Sequence, residues 1–330
     1  MFIMDLLLSN LLTPMVLSYL LGLTAGALGS DLRVPKQFYE SLTIYLLFAI
    51  GFKGGGEIAH TGLGAIVLPG LASVALGLFI TMYAYGILRK LGKFNREDAS
   101  SIAAHYGSVS AVTFAAGIAM LDTLQIPYNG FMNALLALME SPAIILGVVL
   151  AGRARHLAST NAEKPTIDWG FFLREAFISK SVVLLIGGML IGLLSGESGY
   201  QTMEPLLITP FKAALSFFLL ELGVVTSERL GDLRKVGPFL LGFGILLPIT
   251  NGILGILTGW LVGLNMGGAT LLGALAASGS YIAAPAAMRV AVPQANPALS
   301  LTAVLAITFP FNIAVGLPLY LNIARWLFGG

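Results

Sequence analysis

The chain repeatedly runs for twenty or more residues without a charged side chain. AIVLPGLASVALGLFITMYAYGIL, residues 65–88, is one such run. About 20 apolar residues in a helix cross the hydrocarbon core of a bilayer. The runs are continuous rather than alternating in polarity, so they read as helices and not as strands. In lipid a helix is also the segment that satisfies all of its own backbone hydrogen bonds. By that measure ten spans fall near 13–30, 37–56, 63–89, 98–121, 128–152, 177–195, 203–226, 236–263, 267–291 and 297–325. Composition agrees: 10 % of residues are charged and 57 % hydrophobic, against about 25 % charged in soluble domains. The expected fold is an all-α polytopic membrane protein.

Basic residues orient the spans. With the N-terminus outside the cytoplasm, the inner connections hold Arg33, Lys36, Arg89, Lys90, Lys93, Arg96, Arg153, Arg155, Lys164, Arg174, Arg229, Arg234, Lys235 and Arg289. Asp122, Glu197 and Glu204 fall in the outer ones. This asymmetry matches the positive-inside rule and puts both termini outside. The first residues, MFIMDLLLSNLL, have no basic n-region or small-residue cleavage site and read as mature sequence, an interfacial helix. The chain has no cysteine, so disulfides and thiolate chemistry are excluded. A net charge of +2 gives no argument for nucleic acid.

Two halves repeat. Gly51 and Gly223 are 172 residues apart, Ser108 and Ser278 are 170 apart, as are Ser110 and Ser280, and Pro142 and Pro310 are 168 apart. Five spans is an odd number, so a second copy enters the membrane from the opposite side. The expected organisation is a five-helix repeat over 1–152, a cytoplasmic linker over 153–176 and an inverted five-helix repeat over 177–330.

The matched serines lie inside spans four and nine, in YGSVSAVTFAAG (106–117) and AASGSYIAAPAA (276–287). In a helix, residues two apart point about 200° away from each other; in extended chain they share a side. A Gly-Ser-x-Ser element therefore predicts an unwound segment, with Gly107 and Gly279 giving backbone freedom and serine capping the helix that restarts. The half-helices, near 111–121 and 281–291, are expected to aim their N-termini at one point. Free N–H groups and the helix dipole there form an anion site without arginine. Its lining would be Gly107, Ser108, Ser110, Ser278, Gly279 and Ser280, with Thr113 at the rim. Close helix packing is the competing use of Gly and Ser, but it does not require matched copies in both halves.

A cation site is suggested by prolines. Pro142 cannot donate to the carbonyl of Leu138, nor Pro310 to that of Ala306, and in a regular half-helix Pro285 would free that of Tyr281. Free carbonyls beside Glu140, Ser141 and Thr308 are the oxygen ligands a hard cation takes. Glu140, mid-span in LALMESPAIIL, is a functional candidate by position. Glu221 reads as a packing acid or a partner of Lys212 or Lys53. Carrying one negative charge into a negative-inside cell costs about 2.3 kcal/mol per 100 mV, and a co-transported sodium ion cancels that term.

The segments YGSVSAVTFAAG, MESPAI, GDLRKVG (231–237) and ASGSYIAAPAAMRVAVPQANP (277–297) resemble the sodium-dependent bicarbonate transporters best known from cyanobacteria. The resemblance implies a ten-span inverted-repeat fold with broken crossing helices, similar to bile-acid symporters and sodium–proton antiporters. Spans three to five and eight to ten would form a core domain, and spans one, two, six and seven a gate domain. It further implies a bacterial plasma-membrane homotrimer with elevator-like movement and bicarbonate at the helix breaks. Sodium would lie near Thr113 and Glu140, and a PII-like cytoplasmic regulator is implied as a partner. The chain departs from the family pattern at Glu140 and Tyr281, where that pattern has Asp, and at Lys53, where it has a small polar residue.

Three other classes compete with this reading. A symporter of another small anion, such as a carboxylate, would use the same hydroxyls and N–H groups. A serine hydrolase would pair a serine with a histidine on another span. His60 and His156 sit in or beside loops, and His105 reads as a packing group at the break, so catalysis is not expected. A channel is disfavoured by the buried Glu140 and the inverted repeat.

Overall fold

A computed structural model describes residues 3–61, 64–158, 174 and 178–329, and every regular element among them is helical. The helices are α1 (Ile3–Leu11), α2 (Pro14–Ala27), α3 (Lys36–Thr61), α4 (Gly64–Lys90), α5 (Arg96–Gly107), α6 (Ala111–Thr123) and α7 (Met132–Ala158). They continue with α8 (Lys180–Leu207), α9 (Phe211–Leu230), α10 (Leu233–Leu261), α11 (Met266–Ala276), α12 (Ala283–Ala291) and α13 (Pro297–Leu327). The last is continuous but passes through two π-helical segments, Ala303–Thr308 and Asn312–Gly316.

Helix thus occupies each apolar run. Among the described residues six stretches are long and apolar enough to cross a membrane: α4, α5 with α6, α7, α8, α10 and α13. α2 and α11 are apolar but shorter. α7 continues past the expected repeat boundary to Ala158, and most of the linker expected over 153–176 lies outside the described residues.

The starts obey local chemistry. Thr13, Asn95, Asn265 and Asn296 each cap a helix by accepting a first-turn N–H, in α2, α5, α11 and α13 respectively. Pro14 and Pro297 occupy first-turn positions, where no N–H is needed. Gly237, at φ +75°, bends the start of α10 in a conformation that side chains with a Cβ rarely adopt.

Burial sorts the helices. In its most apolar stretch the α5–α6 segment is 94 % buried, whereas α8 is 22 % buried. The broken helix therefore runs through the middle, against α4, α7 and α11, while α8 turns Leu190, Ile191 and Leu194 outward. Two pairs on the periphery, α3 with α8 and α2 with α9, approach to backbone contact over glycine. A Cβ on Gly55 would lie 2.0 Å from the Met189 carbonyl oxygen, and one on Gly223 would lie 2.2 Å from that of Tyr19.

Between lipid-soluble helices apolar burial supplies little drive, so close backbone packing carries the association. Gly55→Ala should accordingly cost about 1–3 kcal/mol, the range for overpacking, and lower the thermal unfolding midpoint in detergent. Gly187→Ala, where a Cβ meets open space, should leave the midpoint unchanged or raise it.

Candidate anion and cation site

At the first break α5 stops at Gly107 and the chain extends through Ser108 (ψ 179°) and Ser110 (ψ 113°) before α6 begins at Ala111. This is the unwinding expected from the serine spacing. The Ser110 hydroxyl accepts the Thr113 N–H at 3.1 Å and so caps α6. The Ser108 hydroxyl donates to the Glu140 carbonyl at 2.8 Å and ties the break to α7. Gly107 has no room for a side chain: a Cβ would fall 1.9 Å from Thr81 Oγ1.

At the second break α11 stops at Ala276, and residues 278–282 are non-helical before α12 begins at Ala283. The Ser280 hydroxyl accepts the Ala284 N–H at 3.1 Å. The helix restarts two residues later than expected, so Pro285 falls in its first turn. There it breaks no helical bond, and the carbonyl of Tyr281 is not freed by it.

The two breaks are bonded to each other. The Ser110 N–H donates to the Ser278 hydroxyl at 2.8 Å, and the Ser280 N–H donates to the His105 carbonyl at 2.8 Å. Ser278 in turn donates to the Leu275 carbonyl at 2.7 Å. Gly279 packs where a Cβ would approach Val304 to 2.9 Å.

Ser110 and Ser280 line one cavity of about 30 Å³, together with Ala111 and Val112 of the α6 first turn and Glu140 of α7. A volume of this order holds a few atoms at most. Its opposite wall is Thr43, Leu46 and Leu47 of α3, Ser181 of α8 and Phe218 of α9. Glu140 is 8 % exposed, and the hydroxyls of Ser110 and Ser280 serve as acceptors in their capping bonds.

The other expected cation ligands are placed differently. Thr113 is buried on α6, one turn from Ser110. Ser141 and Leu138 border an apolar cavity of about 800 Å³ on the outer side of α7. Thr308 belongs to a separate buried cluster: its hydroxyl donates to the Gly244 carbonyl at 2.7 Å and meets the Tyr106 hydroxyl at 2.7 Å. The chain around Pro310 is π-helical, with Phe309 N–H bonding back five residues to Val304. In that register the carbonyl that loses its donor to Pro310 is Leu305's rather than Ala306's, and the Thr226 hydroxyl approaches it at 3.4 Å.

Glu221 accepts the Val34 N–H at 2.8 Å instead of pairing with Lys212 or Lys53. His105 holds the Ser101 carbonyl through Nδ1 at 2.7 Å; no described hydrogen bond joins its ring to a serine hydroxyl.

The family model of the Na+-dependent bicarbonate transporter superfamily matches residues 14–325. The chain belongs to this superfamily. A search of curated proteins returns no match. The match takes in both breaks, Glu140 and the Thr308 cluster.

Three groups at this transporter's centre escape a reading of motifs. The His105 carbonyl is a backbone group. Asn312, which donates to the Ala277 carbonyl at 2.9 Å and accepts from Tyr320, sits in a stretch of α13 that carries no motif. Asp98 accepts the Asn296 N–H at 2.7 Å and so joins the start of α5 to that of α13. The Thr308–Gly244 bond did carry a signal: Pro248, four residues on, leaves the Gly244 carbonyl without a helical donor. Removing the Thr308 hydroxyl leaves the Tyr106 hydroxyl and the Gly244 carbonyl unpaired, at about 1–3 kcal/mol, whereas removing the Tyr106 hydroxyl costs one hydrogen bond, about 0.5–1.5 kcal/mol. Tyr106→Phe and Thr308→Val should each destabilise the transporter. The double variant should cost less than the sum, as a double-mutant cycle of detergent unfolding midpoints will show.

Proposed function

We propose that the chain is a secondary active transporter that imports bicarbonate together with sodium across a bacterial plasma membrane. One observation carries the reading. Serines from both helix breaks, Ala111 and Val112 of the α6 first turn and buried Glu140 line one small cavity. The anion is held by Ser110 and Ser280 facing the cavity, with Ser108, Ser278, Gly107 and Gly279 fixing the backbone around them. Sodium is held beside it by Glu140, with Thr113 one turn from Ser110. The ion offsets the anion's charge and couples uptake to its own gradient. The cavity's size favours a one-carbon anion over a larger carboxylate.

The architecture under this reading is ten spans in a 5+5 inverted repeat with both termini outside. The glycine contacts support it: Gly51 of α3 meets α8 and Gly223 of α9 meets α2, as a repeat relating α3 to α9 and α8 to α2 requires. The cavity wall supports the division into core and gate, since α3, α8 and α9 face α6, α7 and residues 280–282 across it. Elevator-like movement of one against the other, a homotrimer and a PII-like cytoplasmic regulator belong to the same proposal. No step calls for catalysis.

The test is uptake of radiolabelled bicarbonate into proteoliposomes at fixed pH, with and without an inward sodium gradient. Uptake should require sodium. Ser280→Ala should reduce kcat/KM by about 10–100-fold, as expected for losing a hydrogen bond to a charged ligand at about 1.5–3 kcal/mol. Glu140→Gln should abolish the sodium dependence. Uptake that follows a proton gradient instead would overturn the cation assignment. Absence of bicarbonate uptake, with a small carboxylate transported, would overturn the substrate.

A further inference from the structure

A second polar cavity, of about 240 Å³, lies beside the first. The two share one wall residue, Ile50 of α3. On α3 the lining passes from Leu46 and Leu47 through Ile50 to Lys53; on α6 it passes from Ala111 and Ala115 to Ile118 and Asp122. These are steps of one helical turn. The cavities therefore lie end to end in the groove between α3 and α6, and Ile50, 4 % exposed, separates them.

The second cavity carries two lysines, Lys53 and Lys212, and two carboxylates, Asp122 and Glu57. Lys53 pairs with Asp122 at 3.1 Å, across from α3 to α6, and its Nζ lies 5.2 Å from the centre of the Tyr128 ring. Lys212, at the start of α9, donates to the Thr123 hydroxyl at 2.9 Å. Among the described residues that is the only hydrogen bond of its ammonium, which has no ion-pair partner. Both lysines stand at the end of the bundle where basic residues are otherwise sparse, so charge asymmetry does not account for them. A clamp between α3 and α6 would account for Lys53 but not for Lys212.

We propose that this cavity is the outer vestibule of the serine cavity. A small oxyanion is collected by the ammonium of Lys212, passes to Lys53, and is admitted past Ile50 when α3 and α6 part. The Lys212 ammonium, with no carboxylate at ion-pair distance among the described residues, is the group in the cleft open to an incoming anion, and low-dielectric walls strengthen that attraction. The proposal rests on the anion-transport reading above, and it gives that site its route of access.

The test uses the natural absence of cysteine. Thr209, exposed on the vestibule wall, is changed to cysteine in the full-length protein. It is then modified with methanethiosulfonate reagents bearing either a sulfonate or a trimethylammonium group. Relative to a free thiol in solution, the sulfonate reagent should react several-fold faster than the cationic one. Lys212→Gln should erase that preference and Lys212→Arg should keep it. A cysteine at Ala115, behind Ile50, should react several-fold faster when Ile50→Ala is added.

In uptake assays Lys212→Gln should raise KM several-fold with kcat retained. Equal rates for the two reagents, or a preference for the cation, would overturn the proposal, as would an Ala115→Cys rate that Ile50→Ala leaves unchanged. Labelling needs no substrate. An anion preference without bicarbonate uptake would therefore defeat the transport reading and not the vestibule.

Discussion

Two hydrogen bonds between the helix breaks hold the centre of this protein together. Unwinding a helix in an apolar interior strips backbone groups of their partners, and each unsatisfied group there costs on the order of kilocalories. Ser110 N–H finds the Ser278 hydroxyl, and Ser280 N–H finds the His105 carbonyl. Each break is thus completed by the other, and neither half of the chain closes its own site. Ser110 and Ser280 also cap the restarting helices by accepting the Thr113 and Ala284 N–H groups.

The same accounting explains the surroundings. Every proline within a helix leaves a carbonyl exposed, and the structure answers several with side chains from distant helices. Thr308 serves the carbonyl left by Pro248. Asn10 of α1 donates to the Ile313 carbonyl at 2.8 Å, five residues before Pro318 in a π-helical register where Leu317 N–H reaches back to Asn312. These bonds cross between helices that are far apart in sequence, and so they also fix the helices' relative positions. Glycine does the corresponding work at the periphery, where α2 meets α9 and α3 meets α8 at backbone distance.

Much of this is legible in residue order. Apolar runs place the helices because the thickness of a bilayer and the rise of a helix are fixed lengths. The spacing of Ser108 and Ser110 places the first break because only an extended chain puts both on one side. For the second break the spacing gives the location but not the end: Pro285 reads as a helix-interior proline, while the helix waits until Ala283 and takes the proline into its first turn. Counting four residues back from Pro310 points to the Ala306 carbonyl. The π-helix counts five, a change in register that composition does not announce. Glu221 and Lys53 find partners other than those expected, Val34 and Asp122, because the choice among charged neighbours depends on helix rotation.

The residues alone determine whatever depends on local rules: helical spans, a membrane setting, caps, two unwound segments and the buried carboxylate at Glu140. Only the packed chain settles which groups meet across distance. His105 offers its carbonyl and not its ring to the second break. Thr308 joins Tyr106 and Gly244, apart from Glu140. Ile50 stands between two cavities that no motif marks. Such meetings depend on how far each helix is turned and slid against its neighbours. Side chains from many parts of the chain set those displacements together, so no single stretch of sequence encodes them.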